Sequence, residues 1–256
     1  MYSRQRVLNA INHIEPDGIP VDLGSTPSSG ISAMAYGELL EKVPFKDRRN
    51  WVYDVVQQVA QPSEEVLNTF RVDVVDLGRT FNTRDEDWVD VQLPNGSIAQ
   101  HPAWFHTEAQ ADGSWLAIHQ GEPIARMPAG AFSYDQIVFP FIDGYPSDYG
   151  QNLDEAMGRI HWSALVHSPW DHAGEPDFWA RLRENALKLR ASSDRAIILS
   201  AGCNLFEWGT FLRRLDHFLV DLVTEPEEVA RFLDALMIRH LASLEKICES
   251  VGDVVD

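Results

Sequence analysis

Two aspartates close short apolar runs that open into glycine turns: Asp22 in Ile19-Pro20-Val21-Asp22-Leu23-Gly24 and Asp76 in Val72-Asp73-Val74-Val75-Asp76-Leu77-Gly78. Carboxylates at strand ends that converge on a pocket hold a substrate's positive charge, or divide the roles of acid and base. The plainer reading is that each accepts hydrogen bonds from the turn that follows it. Arg79 comes directly after Gly78. A guanidinium there grips a carboxylate or phosphate through two parallel hydrogen bonds, or it simply pairs with a surface acid. Beyond Asp22, the small-residue loop Ser25-Thr26-Pro27-Ser28-Ser29-Gly30 places Ser25 and Ser29 at a pocket mouth.

A third apolar run, Arg195-Ala196-Ile197-Ile198-Leu199-Ser200-Ala201-Gly202, leads into Cys203-Asn204-Leu205-Phe206-Glu207. A thiol near a helix start is acidified and serves as nucleophile or zinc ligand. A lone cysteine is more often just a small buried residue. Asn204 and Glu207 are the better candidates for polar pocket lining. His161, His167 and His172 are spaced H-x5-H-x4-H, which matches no helical metal motif, and His101, His106 and His119 fall in a separate stretch. No phosphate-binding glycine loop, dinucleotide fingerprint or nucleophile elbow is present. The site candidates are therefore Asp76 and Glu207 for catalysis, and Asp22, Ser25, Ser29, Arg79 and Asn204 for substrate binding. No metal ligands are assigned.

These residues need elements to position them. Val7, Leu8, Ala10, Ile11 and Ile14 share a helical face, which Glu15-Pro16-Asp17-Gly18 ends. Helices are expected from about Ser32 to Val43, from Pro62 to near Phe70, from Asn152 to Ile160 with Asn152 and Glu155 as a capping box, and from Pro176 to Ala191. Leu205 to Arg213, His217 to Val223 and a long stretch from Glu225 to Ser250 complete the helical set. Between about Trp88 and Met127 the pattern changes to short alternating runs joined by Asn95-Gly96 and Asp112-Gly113, the signature of an antiparallel excursion. Apolar strands alternating with helices indicate a parallel α/β sheet, with function at the strands' C-terminal ends.

The chain has 256 residues, 45% of them hydrophobic, and a formal net charge of -18. So acidic a surface repels phosphate backbones and anionic lipid, so neither nucleic acid nor membrane is an expected partner. Two cysteines without C-x-x-C fit a reducing compartment, and the polar start lacks a signal peptide's apolar core, so a cytoplasmic location is expected. The closing Ser250-Val251-Gly252-Asp253-Val254-Val255-Asp256 reads as the first stroke of a fourth strand. The chain is accordingly expected to be the front part of a larger protein, able to self-associate through that strand's exposed edge.

The order and spacing of several segments carry a resemblance. Arg6-Val7-Leu8-Asn9-Ala10-Ile11-Asn12-His13 followed by Glu15 to Gly24, then Val72 to Gly78, resemble the uroporphyrinogen decarboxylase-like superfamily. So do Gly202 to Glu207, Leu212-Arg213-Arg214-Leu215, Thr224-Glu225-Pro226-Glu227-Glu228 and Val251 to Asp256. The resemblance implies a (β/α)8 TIM-type barrel, here truncated to about its first half, spanning 1–256 with a small antiparallel β excursion at about 88–127. It implies a corrinoid- and zinc-linked methyltransferase, with no cofactor held by this chain: zinc and a corrinoid protein would belong to the full-length parent. The alternatives are a decarboxylase of a porphyrinogen or a smaller acidic substrate, or a non-catalytic barrel fragment acting as an interaction module. The partner is then a small-molecule substrate or a corrinoid protein. The loop Asp22 to Gly30 lacks the arginines that grip a porphyrinogen's carboxylates in the decarboxylases, and the position nearest their catalytic aspartate is Thr80, close to Asp76.

Overall fold

The computed structural model describes residues 1–119, 121–164 and 167–256, so Gln120 of the expected excursion lies outside it. The elements run α1 (Ser3–Ile11), β1 (Ile31–Ser32), α2 (Ala33–Lys42), β2 (Val52–Asp54), β3 (Val59–Ala60), α3 (Glu64–Thr69), β4 (Val74–Asp76) and β5 (Trp88–Gln92). They continue with β6 (Ile98–Pro102), β7 (His106–Ala109), β8 (Trp115–His119), β9 (Glu122–Met127), β10 (Asp135–Gln136), α4 (Gly150–Ala164), α5 (Phe178–Ser192) and β11 (Ala196–Ile198). Three helices close the chain: α6 (Leu205–Arg213), α7 (Leu215–Thr224) and α8 (Pro226–Val251).

Local chemistry sets several boundaries. The Ser32 hydroxyl accepts from the Ala35 N–H at 3.3 Å and caps α2, and Ser63 does the same for Val66 at 3.4 Å in α3. Glu64 and Glu65 in the first turn of α3 complement its dipole. The expected capping box at Asn152 and Glu155 is absent, because α4 begins earlier, at Gly150, and the Asn152 amide donates to the Asp148 carbonyl.

The chain divides into two compact units: Met1–Asp135 with His167–Ser200 and Ser250–Asp256, and Gln136–Val166 with Ala201–Glu249. In the first, β4 and β11 pair in parallel, with Val74 opposite Ala196, Val75 opposite Ile197 and Asp76 opposite Ile198. Arg195 fastens the start of this pair. Its guanidinium donates to the Val72 carbonyl, Glu64 and Asn68 at 2.9, 2.8 and 2.6 Å. On one flank the Asp73 N–H donates to the Val21 carbonyl, while the Asp73 carboxylate accepts from Val21 N–H and from Arg6. On the other, the Asp256 N–H donates to the Ile197 carbonyl, and its carboxylate accepts from Ile197 N–H, Arg4 and Arg190.

The same unit holds antiparallel sheets. One is ordered β1-β3-β2, another pairs β5 with β6 from Trp88 opposite Pro102 to Gln92 opposite Ile98, and β7, β8 and β9 form a meander. Gly96 and Gly113 take φ of 84° and 82° at the two predicted hairpin turns, a conformation that glycine adopts without strain. Ala33, Tyr36, Leu40, Val52, Ala60 and Val66 make one core cluster, and Trp51 stacks on Trp88 with ring centroids 4.8 Å apart. The second unit is helical, with α4, α6, α7 and α8 packing Leu153, Ile160, Trp208, Leu212, Phe218, Phe232 and Leu236 together.

The expected (β/α)8 architecture is overturned. Among the described residues the parallel sheet has two strands, β4 and β11, and the other sheets are small, the paired strands within them antiparallel. The physical reason is the shortness of the apolar runs. Ile19 to Gly24 contains Pro20, which has no N–H to give, and its Val21 meets Asp73 without the run becoming a strand. Val254 to Asp256 leaves a helical turn and reaches Ile197 through one main-chain bond. Most strand residues lie instead in the antiparallel excursion. No helix among the described residues is long and apolar enough to cross a membrane.

Candidate functional site

The end of β4 places Asp76 in the interior of the first unit, 6% exposed. Burial pushes its carboxyl up to about 6, although the His167 ring and the Gly78 N–H both pull it down. Its Oδ1 has no hydrogen-bond partner among the described residues. The strand β2 delivers Tyr53 to the same region, and its buried hydroxyl also lacks a partner. Burial raises the Tyr53 phenol far above its usual range, and the charges of Asp76, Asp54 and Asp22 raise it further. The phenol is therefore a permanent donor at any working pH.

His167 completes the group. Its ring stands 5.7 Å from that of Tyr53, tilted by 59°. Its Nδ1 lies 3.0 Å from the Ser168 carbonyl, which can only accept, so Nδ1 carries a proton. The segment that carries His167 is tied down from the far side. Asn82 donates to the Ser168 hydroxyl at 2.8 Å and to Asp171 at 2.6 Å, and the Ser168 hydroxyl and the Trp104 indole also donate to Asp171. His172 bridges Asn82 and Glu175 at 2.7 and 2.6 Å.

Gly78 lets this segment come close. A Cβ there would lie 1.9 Å from the Ser168 carbonyl oxygen and 2.6 Å from Asp76 Oδ2. Asp54 stands at the end of β2 with Oδ1 accepting from the Gln57 N–H at 2.8 Å, and burial raises its carboxyl as well.

The other expected residues fall in different settings. Asp22 is exposed and follows the plainer reading, with its oxygens accepting from the N–H and hydroxyl of Ser25. Its charge nonetheless acts on both Tyr53 and Asp76. It lines an apolar groove of about 570 Å³ floored by Leu23, Ile31, Leu39 and Phe70. Ser25 is buried, and Ser29 pairs with Thr26 within its own turn. Arg79 is half-buried and committed to the Pro62 carbonyl at 3.2 Å and to Glu64 at 3.3 Å, beside a cleft of about 140 Å³. Asn204 and Glu207 belong to the second unit, both exposed at the start of α6.

Three members of the group escaped the reading of the sequence. Asp54 closes the apolar run Trp51-Val52-Tyr53-Asp54, and the strand-end rule applied there finds both it and Tyr53. His167 was visible only as one of three spaced histidines. The two thiols take separate places. Cys203 donates to the Ala201 carbonyl and is pushed up by burial, while Cys248 is exposed. Among the described residues no three His, Cys, Asp or Glu side chains gather in a form that holds a metal ion.

No family model matches the chain, and neither a curated protein nor a solved structure matches it.

Proposed function

We propose that the chain is an enzyme of small-molecule proton transfer, with Asp76 as the acid, and that the reaction it fits best is decarboxylation. The observation that carries this reading is the Asp76 carboxyl: buried, raised to about 6, and with Oδ1 unpartnered. In such a reaction the bond between carbon and carboxylate breaks, carbon dioxide leaves, and the electron pair stays on carbon. Asp76 gives its proton to that carbon and becomes a carboxylate. Tyr53 supplies a fixed donor for the developing negative charge, the nearby His167 ring favours the carboxylate that Asp76 becomes, and that carboxylate regains its proton from solvent.

Methyl transfer with zinc and a corrinoid protein rests on the resemblance alone. The two readings separate in one preparation. Phenylmalonate and indole-3-acetate serve as probes in deuterated water, with carbon dioxide release and deuterium at the new C–H as the readout. Turnover that disappears in Asp76→Asn supports the proposal. An Asp76 carboxyl carbon that titrates in the ordinary aspartate range by NMR overturns it. Stoichiometric zinc together with demethylation of methylcobalamin would favour methyl transfer instead.

A further inference from the structure

His172 stands between two oxygens. Its Nδ1 lies 2.6 Å from Glu175 Oε1, and its Nε2 lies 2.7 Å from Asn82 Oδ1. A carboxylate oxygen accepts and never donates, so Nδ1 carries a proton. At Nε2 the answer turns on which way the Asn82 amide points. Its Nδ2 faces Asp171 Oδ2 at 2.6 Å and the Ser168 hydroxyl at 2.8 Å. Asp171 Oδ2 also accepts from the Trp104 indole and the Ser168 hydroxyl, so the amide presents its N–H groups to it. Turned over, the amide would set Asn82 Oδ1 against Asp171 Oδ2, acceptor against acceptor. Asn82 therefore offers His172 only an oxygen, and the ring satisfies both neighbours only when both of its nitrogens carry protons.

The charges around the ring suit a cation. Glu175 is shared with Arg181 of α5, whose guanidinium lies over the Phe81 ring that packs on His172. Asp171 Oδ1 is buried without a hydrogen-bond partner among the described residues, and it lies 3.8 Å from His172 Nε2. Asp87, which also feels the His172 charge, pairs with Arg84 at 2.8 Å. The network holds the segment that carries His167: Ser168 takes a donor from Asn82, and its carbonyl accepts from His167 Nδ1. We propose that His172 is a positioning residue: as the doubly protonated ring it latches Asn82 and Ser168 in place, so that His167 stays in the Asp76 group, and giving up its Nε2 proton opens the latch. The Nδ1 proton stays, because Glu175 is a charged acceptor and Asn82 a neutral one. The latch closes as pH falls and opens as pH rises. As regulation of proton transfer by Asp76, it rests on the function proposed above.

Long-range proton–nitrogen NMR on the whole chain, labelled in histidine and followed from about pH 5 to about pH 8, tests the proposal. The His172 ring is assigned by its loss in His172→Gln. Both of its nitrogens are expected to be protonated at the acid end, and the proton lost as pH rises is the one on Nε2, which leaves the Nδ1–H tautomer. The Asn82 side-chain amide and the Ser168 backbone amide shift with the same midpoint. In His172→Gln, which has no proton to give up in this range, that step disappears from both amides. The Asp76 carboxyl carbon, which His167 pulls down in the wild type, titrates at higher pH in this variant. Should the variant fail to fold, the wild-type tautomer and the shared midpoint still decide. An Nε2–H tautomer overturns the proposal, and so do Asn82 and Ser168 amides that ignore the His172 midpoint. A His172→Gln chain whose amides keep the wild-type step does the same. None of these signals involves turnover, so a failed latch is told apart from a failed decarboxylation reading.

Discussion

The Tyr53 ring lies 5.7 Å from the His167 ring, and the buried Tyr53 hydroxyl beside it has no hydrogen-bond partner among the described residues. A buried hydroxyl without a partner costs about 1–3 kcal/mol relative to one that is satisfied. Nothing in packing requires it, since phenylalanine fills the same space. Tyr53→Phe is therefore expected to be neutral or to stabilise the fold by about 1 kcal/mol in chemical denaturation. Turnover, in contrast, falls by about 10²- to 10³-fold, the range for losing one donor to a developing charge. Equal loss of stability and turnover would mark Tyr53 as structural.

Asp76 predicts a stability that depends on pH in a set direction. Its carboxyl rises from 3.8 to about 6 on folding, so the folded chain binds the extra proton between those values. Its contribution is most favourable below pH 3.8 and is lost as pH rises toward 6. The difference amounts to about 3 kcal/mol for this one group. Asp76→Asn is uncharged throughout. It is expected to match the wild type near pH 4 and to exceed it by up to about 3 kcal/mol at pH 8, while activity is lost. Urea melts at the two pH values read this directly, and an unchanged gap between variant and wild type would count against a raised Asp76.

His101 pulls the other way. It is buried on β6, 3.0 Å from the Gln58 side-chain oxygen, which accepts from its Nε2–H. Burial lowers its pKa from 6.5 to about 4. The unfolded chain then binds more protons between those values, so this contribution is full above pH 6.5 and lost as pH falls toward 4. His101→Gln removes it. Subtracting the melting curves of the variant from those of the wild type is expected to leave a difference that rises with pH between about 4 and 6.5, opposite in slope to that of Asp76→Asn.

The sequence announced the helices well because each carries its own signal. Ser32 and Ser63 cap the helices they precede, and the Asn95-Gly96 and Asp112-Gly113 turns lie where the hairpins bend. The sheet was less legible. Runs such as Ile19 to Gly24 and Val254 to Asp256 have the composition of strands, but strand pairing is a long-range property that composition does not encode. Of the site, Asp76 was visible because it ends its strand. Its significance comes from burial and from Tyr53 and His167, brought in from 23 positions before and 91 after it in the chain. Those encounters are set by packing, and no local spacing reports them. Arg79 illustrates the reverse: a plausible anion grip by position, and in space a partner of Glu64.

Gly78 links the acid to the histidine and gives the sharpest steric prediction. The Ser168 carbonyl, which orders the His167 ring, occupies the space a side chain at position 78 would need, at 1.9 Å from the Cβ position. Neither neighbour yields easily, because the carbonyl is backbone and Ser168 is held by Asn82 and Asp171. Gly78→Ala must therefore push the His167–Ser168 segment away from β4, at a cost of about 1–3 kcal/mol typical of overpacking. Beyond that loss, the displacement separates His167 from Asp76 and removes one of the influences that hold the carboxyl down. The Asp76 carboxyl carbon in this variant is expected to titrate above its wild-type value. A variant that loses stability with no change in that titration would show that the His167 segment moved without mattering to the acid.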